Sequence, residues 1–273
     1  MATPIGNLAD ISLRALETLR AVDAVAAEDT RITRRLLARH GIAKRLIPVH
    51  EHNEKRAVHG ILALLRDGRS VALVCDAGTP AISDPGTLLV AAARAAGFRV
   101  VPVPGPNAAI TALSVCGFGA PHHLFYGFLP PRAAARRRVL SELAELPCAL
   151  VFYEAPHRVE ECASDLRAML GGERRIAIAR ELTKLFESVH VCTLAEAVPW
   201  LGADPDRRKG EFVLIVEGAA ETVAAQDAGE RTLGVLLGEL PLRQAVDLAV
   251  RITGARRNDL YRAALAIRKR RDS

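Results

Sequence analysis

Over its first hundred residues the chain alternates short apolar runs with amphipathic helical patterns, and this rhythm constrains the fold more than any other feature. Ser12 can cap a helix that places Leu13, Leu16 and Leu19 on one stripe, and Ala24–Ala27 follows as a short buried strand. The same step recurs. Helical patterns cover Thr30–Arg39, 53–66 and 87–96, the last closed by Gly97, and strand patterns cover 46–49, 70–74 and 99–103. Strands without polar alternation, joined by helical crossovers, predict a parallel sheet covered on both faces.

Glycine and proline cluster between Pro104 and Pro131 and break the alternation near 117–121, which predicts a domain boundary. Beyond it the pattern predicts helices at 136–146 and 157–170, the second closed by Gly171, and strands at 149–153, 175–179, 188–192 and 211–216. With no helix and strand rhythm after Leu170, neighbouring strands are expected to be antiparallel or mixed. Residues 219–230 are acidic and small and lack apolar periodicity, so they read as a linker. Pro241 can then start a helix carrying Ala245, Leu248 and Ala249. Thr253 and Gly254 make a turn, and 258–270 forms a second helix with Leu260, Ala264 and Ile267 on one side. The expected fold class is α/β: a parallel-sheet domain at 1–119, a mixed-sheet domain at 120–218, and a small helix-turn-helix-like unit at 231–273.

The 273 residues, half of them hydrophobic, are enough for two cores. No run approaches the roughly 18 apolar residues that span a bilayer, and Met1 to Asp10 has no basic region followed by an apolar one. Membrane-spanning helices and a secretory signal are therefore not expected, and a cytoplasmic location is. Cys75, Cys116, Cys148, Cys162 and Cys192 are odd in number, widely spaced and without a C-x-x-C pair, so they read as reduced core residues. Charge is unevenly spread. Eight basic and two acidic residues lie between Arg251 and Ser273, leaving 29 of each sign in the rest, so the whole net charge of +6 sits in the tail. A basic tail on a neutral body suggests a polyanionic partner.

Four segments rich in glycine and proline fall where strand patterns end, the edge at which open parallel sheets bind ligands. They are Thr3 to Leu8, Asp76 to Gly86, Pro104 to Ala108 and Phe152 to Arg158. Neither G-x-G-x-x-G nor G-x-x-x-x-G-K-[ST] is present, which removes support for ordinary NAD and ATP sites, and the serine-nucleophile G-x-S-x-G is also missing.

Those segments, the third running on to Leu113, taken in order with Ala27 to Arg31, His50 to Glu54, Gly127 to Pro130, Arg180 to Lys184 and Lys209 to Glu211, resemble the ribosomal RNA small subunit methyltransferase I family, within the tetrapyrrole-methylase-like fold. The resemblance covers nearly the whole chain. It implies transfer of a methyl group from S-adenosylmethionine to the ribose 2′-hydroxyl of a cytidine in the decoding region of small-subunit rRNA. It also implies a homodimer of chains with two α/β domains and the cofactor between them. Carried onto this sequence, the cofactor lies against Ala77, Gly78, Thr79 and Ile82, against Asn107 and Ala108, near Ile5 and Gly6, and against Glu154 and Leu182. The family has a strand before the Thr3 to Gly6 loop, where this chain has only Met1 and Ala2. Either the true start lies upstream or the sheet has an empty slot.

A ribose hydroxyl is a poor nucleophile, so a base and a steadying cation are expected. Asp29, Glu28 and Glu181 are the carboxylate candidates; Arg31, Lys184 and Arg158 are the cationic ones. Asp29 leads, with capping of the helix at Thr30 as its alternative role, and Lys184 is equally placed as an RNA-phosphate contact. His50, His52 and His157 lack ligand spacing and read as structural or RNA-contacting, and no metal is expected. Two rival readings remain. A same-fold methyltransferase acting on a small molecule such as a tetrapyrrole has no need of the basic tail or of Arg136, Arg137 and Arg138. A non-enzymatic rRNA-binding assembly factor has no need of the rigid loops at successive strand ends.

Overall fold

The computed structural model describes residues 1–50, 52–119, 121–219 and 221–271, and of 221–227 and 268–271 the backbone alone. The chain divides into two compact units. One comprises Met1–Gly117, Ile178–His190 and Gly210–Val213, the other Phe118–Ala177, Val191–Lys209 and Leu214–Ser273. The segments 178–190 and 210–213, which the sequence pattern assigns to a domain at 120–218, thus group with the first unit.

In the first unit α1 (Leu13–Ala21), β1 (Ala24–Ala27), α2 (Thr30–Arg39), β2 (Arg45–Pro48), α3 (Glu54–Arg66), β3 (Val71–Val74), α4 (Thr87–Ala95) and α5 (Ala108–Val115) follow one another. The three strands form a parallel sheet in the order β2-β1-β3, with Ala27 level with Pro48 and Val74. Each residue of the central strand is buried. The physical reason is two-sided cover. Val25 and Ala27 face a core with Ala15, Leu19, Leu36 and Leu37, while Ala26 faces Val49, Val58, Ile61 and Leu89. Ser12 caps α1 through a hydrogen bond from the Ala15 N–H.

Two expectations change here. Residues 99–103 form no strand: the Val103 carbonyl accepts one bond, from the Ala2 N–H at 3.2 Å, and one bond does not make a ladder. The position before the Thr3 loop, for which the sequence left either an upstream start or an empty slot, holds Met1 to Thr3. The Met1 amine donates to the Leu73 carbonyl at 3.0 Å, and Thr3 forms an antiparallel bridge with Gly78. Helix α5, which the sequence pattern did not single out, had a legible signal in Asn107, whose side chain accepts from the Ile110 N–H ahead of an apolar run.

Further along come β4 (His123–Phe128), α6 (Ala133–Leu143), β5 (Ala149–Glu154), α7 (Val159–Leu170), β6 (Arg175–Arg180), β7 (Ser188–Thr193), α8 (Leu194–Gly202) and β8 (Phe212–Val216). The strands make one sheet in the order β4-β5-β8-β6-β7, with β4 and β5 parallel. Bonds from the Glu181 N–H to the Glu211 carbonyl and from the Glu217 N–H to the Arg175 carbonyl have the pairing of antiparallel strands, so the sheet is mixed. Pro199 hid α8 from the sequence pattern, although the capping box of Thr193 and Glu196 marks its start.

The last part of the chain is three helices: α9 (Glu221–Glu239), α10 (Leu242–Thr253) and α11 (Arg257–Arg271). The expected linker at 219–230 is therefore helical from Glu221. Packing overrides the missing periodicity, because Gly229 lets α9 approach Ala255 and Leu260 so closely that a Cβ there would lie 2.7 Å from the Ala255 Cβ. Leu233, Ala245, Val246, Ala249, Ala255, Leu260 and Ala264 form this bundle's own buried core. Among the described residues no helix is long and apolar enough to cross a membrane.

Candidate active site

Level register of β1 and β3 puts the residues that follow them side by side at the carboxyl edge of the sheet. The Asp29 N–H donates to Asp76 Oδ1 at 2.9 Å, and the Asp76 N–H reaches the Glu28 carboxylate. Asp84, from the loop that follows β3, hydrogen-bonds the Cys75 thiol. Three carboxylates therefore gather where the strands end. Burial, then the charges of Asp76 and Asp84, push the Glu28 carboxyl above its ordinary value; burial, with Asp76 adding, does the same to Asp84. Burial also raises the Cys75 thiol, which keeps it protonated and removes it as a nucleophile. A half-buried carboxylate with raised proton affinity accepts a proton from a weak acid more readily than an ordinary one, and the shared negative field favours a cationic ligand.

Asp29 is differently occupied. Its Oδ1 accepts from the Arg31 N–H at 2.7 Å, which caps α2, and the Arg31 guanidinium grips both oxygens, the shortest contact being 2.6 Å. These hydrogen bonds from Arg31 hold the Asp29 carboxyl down at about 2. A carboxylate so engaged is a weak base, and the structure places Asp29 in the capping role that the sequence left as its alternative.

Around these carboxylates the glycine and proline loops converge. Thr3 and Gly78 exchange backbone bonds of 2.8 and 3.1 Å, and the buried Thr3 hydroxyl donates to the Cys75 carbonyl. Thr79 donates to the Pro106 carbonyl at 3.2 Å. Gly78 sits at φ 78°, and a Cβ there would lie 3.5 Å from Ile5 and 3.8 Å from the Pro106 carbonyl. Ile5, Gly78 and Thr79 thus form one wall with Pro106, next to which Asn107 and Ala108 begin α5. Ala77 and Ile82 are exposed on the same loop. Its far end is pinned by a residue the sequence reading did not single out as functional. Buried Glu54 accepts from the N–H groups of Gly86, Leu88 and Leu89 with Oε1, capping α4 from α3.

Leu182, Glu181 and Lys184 join this unit through Gly6 and Asn7. A Cβ on Gly6 would lie 2.5 Å from Lys184 Cγ and 2.8 Å from Thr183 Oγ1, and the Asn7 N–H donates to Thr183 Oγ1 at 3.1 Å. The approach stands on strained backbone, since Glu181 and Thr183 have φ of 51° and 67°. Lys184 Nζ donates to Glu181 Oε1 (2.8 Å) and Glu211 Oε2 (2.9 Å). Burial alone would raise the Glu181 carboxyl, but its bonds from Lys184 and the Glu211 N–H outweigh it and hold the group below its ordinary value; the same carboxylates keep the Lys184 ammonium up.

In the second unit Glu154 is buried at the end of β5. Oε1 accepts from the Ala155 N–H at 2.8 Å and lies 3.2 Å from Arg158 Nε, and the Cys162 thiol hydrogen-bonds the same carboxylate. Arg136, grouped above with Arg137 and Arg138 as charge that a small-molecule methyltransferase does not need, is sealed inside the structure. It is 1% exposed, with Nε 2.6 Å from Asp165 Oδ2, and Arg137 takes the other oxygen at 2.6 Å. Arg138 is exposed and lies 3.4 Å from Glu142. In the basic tail Arg257 pairs with Asp247 and Arg262 with Asp259, whereas the side chains of Arg268 to Arg271 lie outside the described residues. His50 and His52 pack edge to face, and His157 is exposed. The five cysteines are free thiols, and Cys75, Cys116 and Cys162 are buried.

A family model described as Tetrapyrrole (Corrin/Porphyrin) Methylases matches residues 2–198, and one described as RsmI C-terminal HTH domain matches residues 223–268. The chain is 50% identical over 265 residues to the ribosomal RNA small subunit methyltransferase I of Escherichia coli O157:H7, covering 96% of this chain and 92% of that one. It is 52% identical over 262 residues to the protein of the same name from Xylella fastidiosa (strain Temecula1 / ATCC 700964), covering 96% of each. Among solved structures, the cobalt precorrin-4 methyltransferase CbiF matches with a TM-score of 0.61 at 15% identity over 80% of this chain and 92% of its own. The uroporphyrin-III-C-methyltransferase from Thermus thermophilus matches with a TM-score of 0.54 at 24% identity over 79% and 91%. At those identities the likeness is one of fold alone.

Proposed function

The chain belongs to the ribosomal RNA small subunit methyltransferase I family within the tetrapyrrole methylases, and from that premise we propose that it methylates the ribose 2′-hydroxyl of a cytidine in the decoding region of small-subunit rRNA. It is an enzyme, an S-adenosylmethionine-dependent rRNA methyltransferase. The observation that carries the reading is identity near 50% over 96% of the chain with relatives of that name. A small-molecule substrate has support only from the fold, which is shared.

The residues present fit the cofactor. S-adenosylmethionine supplies an electrophilic methyl on a positively charged sulfur. The wall of Ile5, Gly78 and Thr79 offers a close backbone approach that a side chain at Gly78 would fill, and the carboxylates beside it favour a cation. We assign Gly6, Ala77, Ile82, Asn107, Ala108 and Leu182 to the same cradle. We assign Glu154, buried at the end of β5, as a further acceptor for the cofactor. Glu28 takes the proton of the 2′-hydroxyl. Asp29, Glu181 and Lys184 act as positioning residues: Asp29 fixes the start of α2, and Lys184 with Glu181 and Glu211 braces the turn against Gly6.

The test is to incubate the protein with labelled cofactor and either purified small subunits or free rRNA, then map the label. The expected product is one cytidine whose 3′ phosphodiester resists alkali, because a methylated 2′-oxygen cannot attack it. Label on a base, or none on rRNA, would refute the reading. A cytoplasmic location follows from the substrate. The homodimer is supported by a patch at the turn after β6, where Leu185 is 90% and Phe186 66% exposed. Sedimentation equilibrium at micromolar concentration is expected to give twice the chain mass, and a Leu185→Asp/Phe186→Asp chain is expected to sediment as a monomer. A wild-type monomer there would remove the dimer.

A further inference from the structure

We infer that the exposed face of α2 is a docking strip for the rRNA phosphate backbone; the inference rests on the rRNA substrate proposed above. Arg31, Arg34, Arg35 and Arg39 stand at i, i+3, i+4 and i+8, so they share one side of the helix, and all are exposed. Thr33, Leu36 and Leu37 occupy the opposite, buried side. The strip runs about 12 Å along the axis at 1.5 Å per residue, long enough to face successive phosphates of one strand.

Within the protein this arrangement is poorly compensated. Arg31 with Arg34, Arg31 with Arg35 and Arg35 with Arg39 are like-charge neighbours, which disfavour a helix. Arg31 also lies in the first turn, where the helix dipole opposes a cation. Asp29 answers Arg31 alone, and among the described residues no carboxylate lies within ion-pair distance of Arg34, Arg35 or Arg39. Four guanidiniums on one face, with one acid among them, match a row of phosphates, which arginine binds with two parallel hydrogen bonds.

Placement ties the strip to the chemistry. Helix α2 begins at the carboxyl end of β1, its cap Asp29 bonded to Asp76, beside the carboxylates and loops of the candidate site. A strand held along α2 is thereby led toward Glu28. This assigns RNA contact to a helix of the catalytic unit, whereas the charge of the sequence alone pointed to the tail.

The test compares rRNA binding of the full-length wild type with an Arg34→Ala/Arg35→Ala/Arg39→Ala variant, leaving Arg31 and its cap in place. A control variant, Arg66→Ala/Arg94→Ala/Arg99→Ala, removes the same charge from exposed positions elsewhere in the unit. The strip variant is expected to bind rRNA roughly 10- to 100-fold more weakly at physiological salt, with the slope of log K against log salt reduced by about two to three. The control is expected to change both far less. Melting temperature and S-adenosylmethionine affinity by calorimetry are expected to hold in both variants, and an Arg34→Lys/Arg35→Lys/Arg39→Lys chain should recover most of the salt slope. Equal losses in strip and control variants, or none in the strip variant of a wild type that methylates rRNA, overturn the inference alone. A wild type that methylates no rRNA overturns the proposed function and the inference with it.

Discussion

Glu28→Gln is expected to slow single-turnover methyl transfer to rRNA by about 10²- to 10⁴-fold, the range general-base catalysis supplies, with both binding constants nearly unchanged. Glutamine keeps the size of the side chain and an oxygen for the Asp76 N–H, but cannot take a proton. The same carboxylate sets a pH dependence. Because burial and neighbouring charges raise its value, Glu28 is protonated at a higher pH than an ordinary glutamate, and the wild-type rate should fall as pH drops through that raised value. In the glutamine variant this limb should disappear. Stability provides a separate reading. A carboxyl whose folded value is raised contributes stability below its unfolded value and loses it as pH rises through the folded one, so above that folded value the ionised Glu28 weighs against folding. The glutamine variant should then be no less stable than the wild type, and a fall in turnover cannot be ascribed to unfolding. Asp29→Asn is the companion measurement. Asparagine still caps a helix, and the expected loss of rate is below about threefold. A large loss in Asp29→Asn with little in Glu28→Gln would reverse the two roles.

Asp165→Ala should destabilise the second unit by about 3–5 kcal/mol, the usual result of removing one partner from a buried ion pair. Asp165 is buried and takes a 2.6 Å bond from each of Arg136 and Arg137. Without it Arg136 keeps, among the described residues, the Pro131 carbonyl at 3.4 Å and Glu161 at 3.7 Å, the latter on an exposed side chain. Denaturant unfolding followed by Trp200 fluorescence, in the same unit, measures the change. An Arg136→Met/Asp165→Leu chain should regain most of the loss, since well-packed apolar groups replace a buried pair at little cost. A single-variant change under about 1 kcal/mol would mean that water reaches Arg136 and that the pair is not sealed.

Much of the first unit was legible because its strands are short, apolar and covered on both faces. Ala24–Ala27 and Thr30–Arg39 have the bounds their patterns predict, and Ser12 and Asn53 stand at the predicted helix starts. The order of the glycine and proline loops likewise carried the family and the cofactor. Three-dimensional closure was not legible. Nothing local distinguishes Arg136 from Arg138, yet one is sealed against Asp165 and the other stands in solvent, because exposure depends on which helix packs across α6. Residues 99–103 have strand composition and form none, since a strand exists only with a partner to complete its ladder. The environments of Asp29 and Glu28 diverge for a related reason. They are adjacent carboxylates after one strand, and their proton affinities diverge because Arg31 answers the first while Asp76 and Asp84, 48 and 56 residues beyond Glu28, crowd the second. By itself, then, the sequence determined the elements whose burial pattern is periodic and the loops whose residue types are restrictive. Only the tertiary structure decided which charges are paired, crowded or free, because electrostatic environment is set by neighbours through space and periodicity along the chain does not encode them.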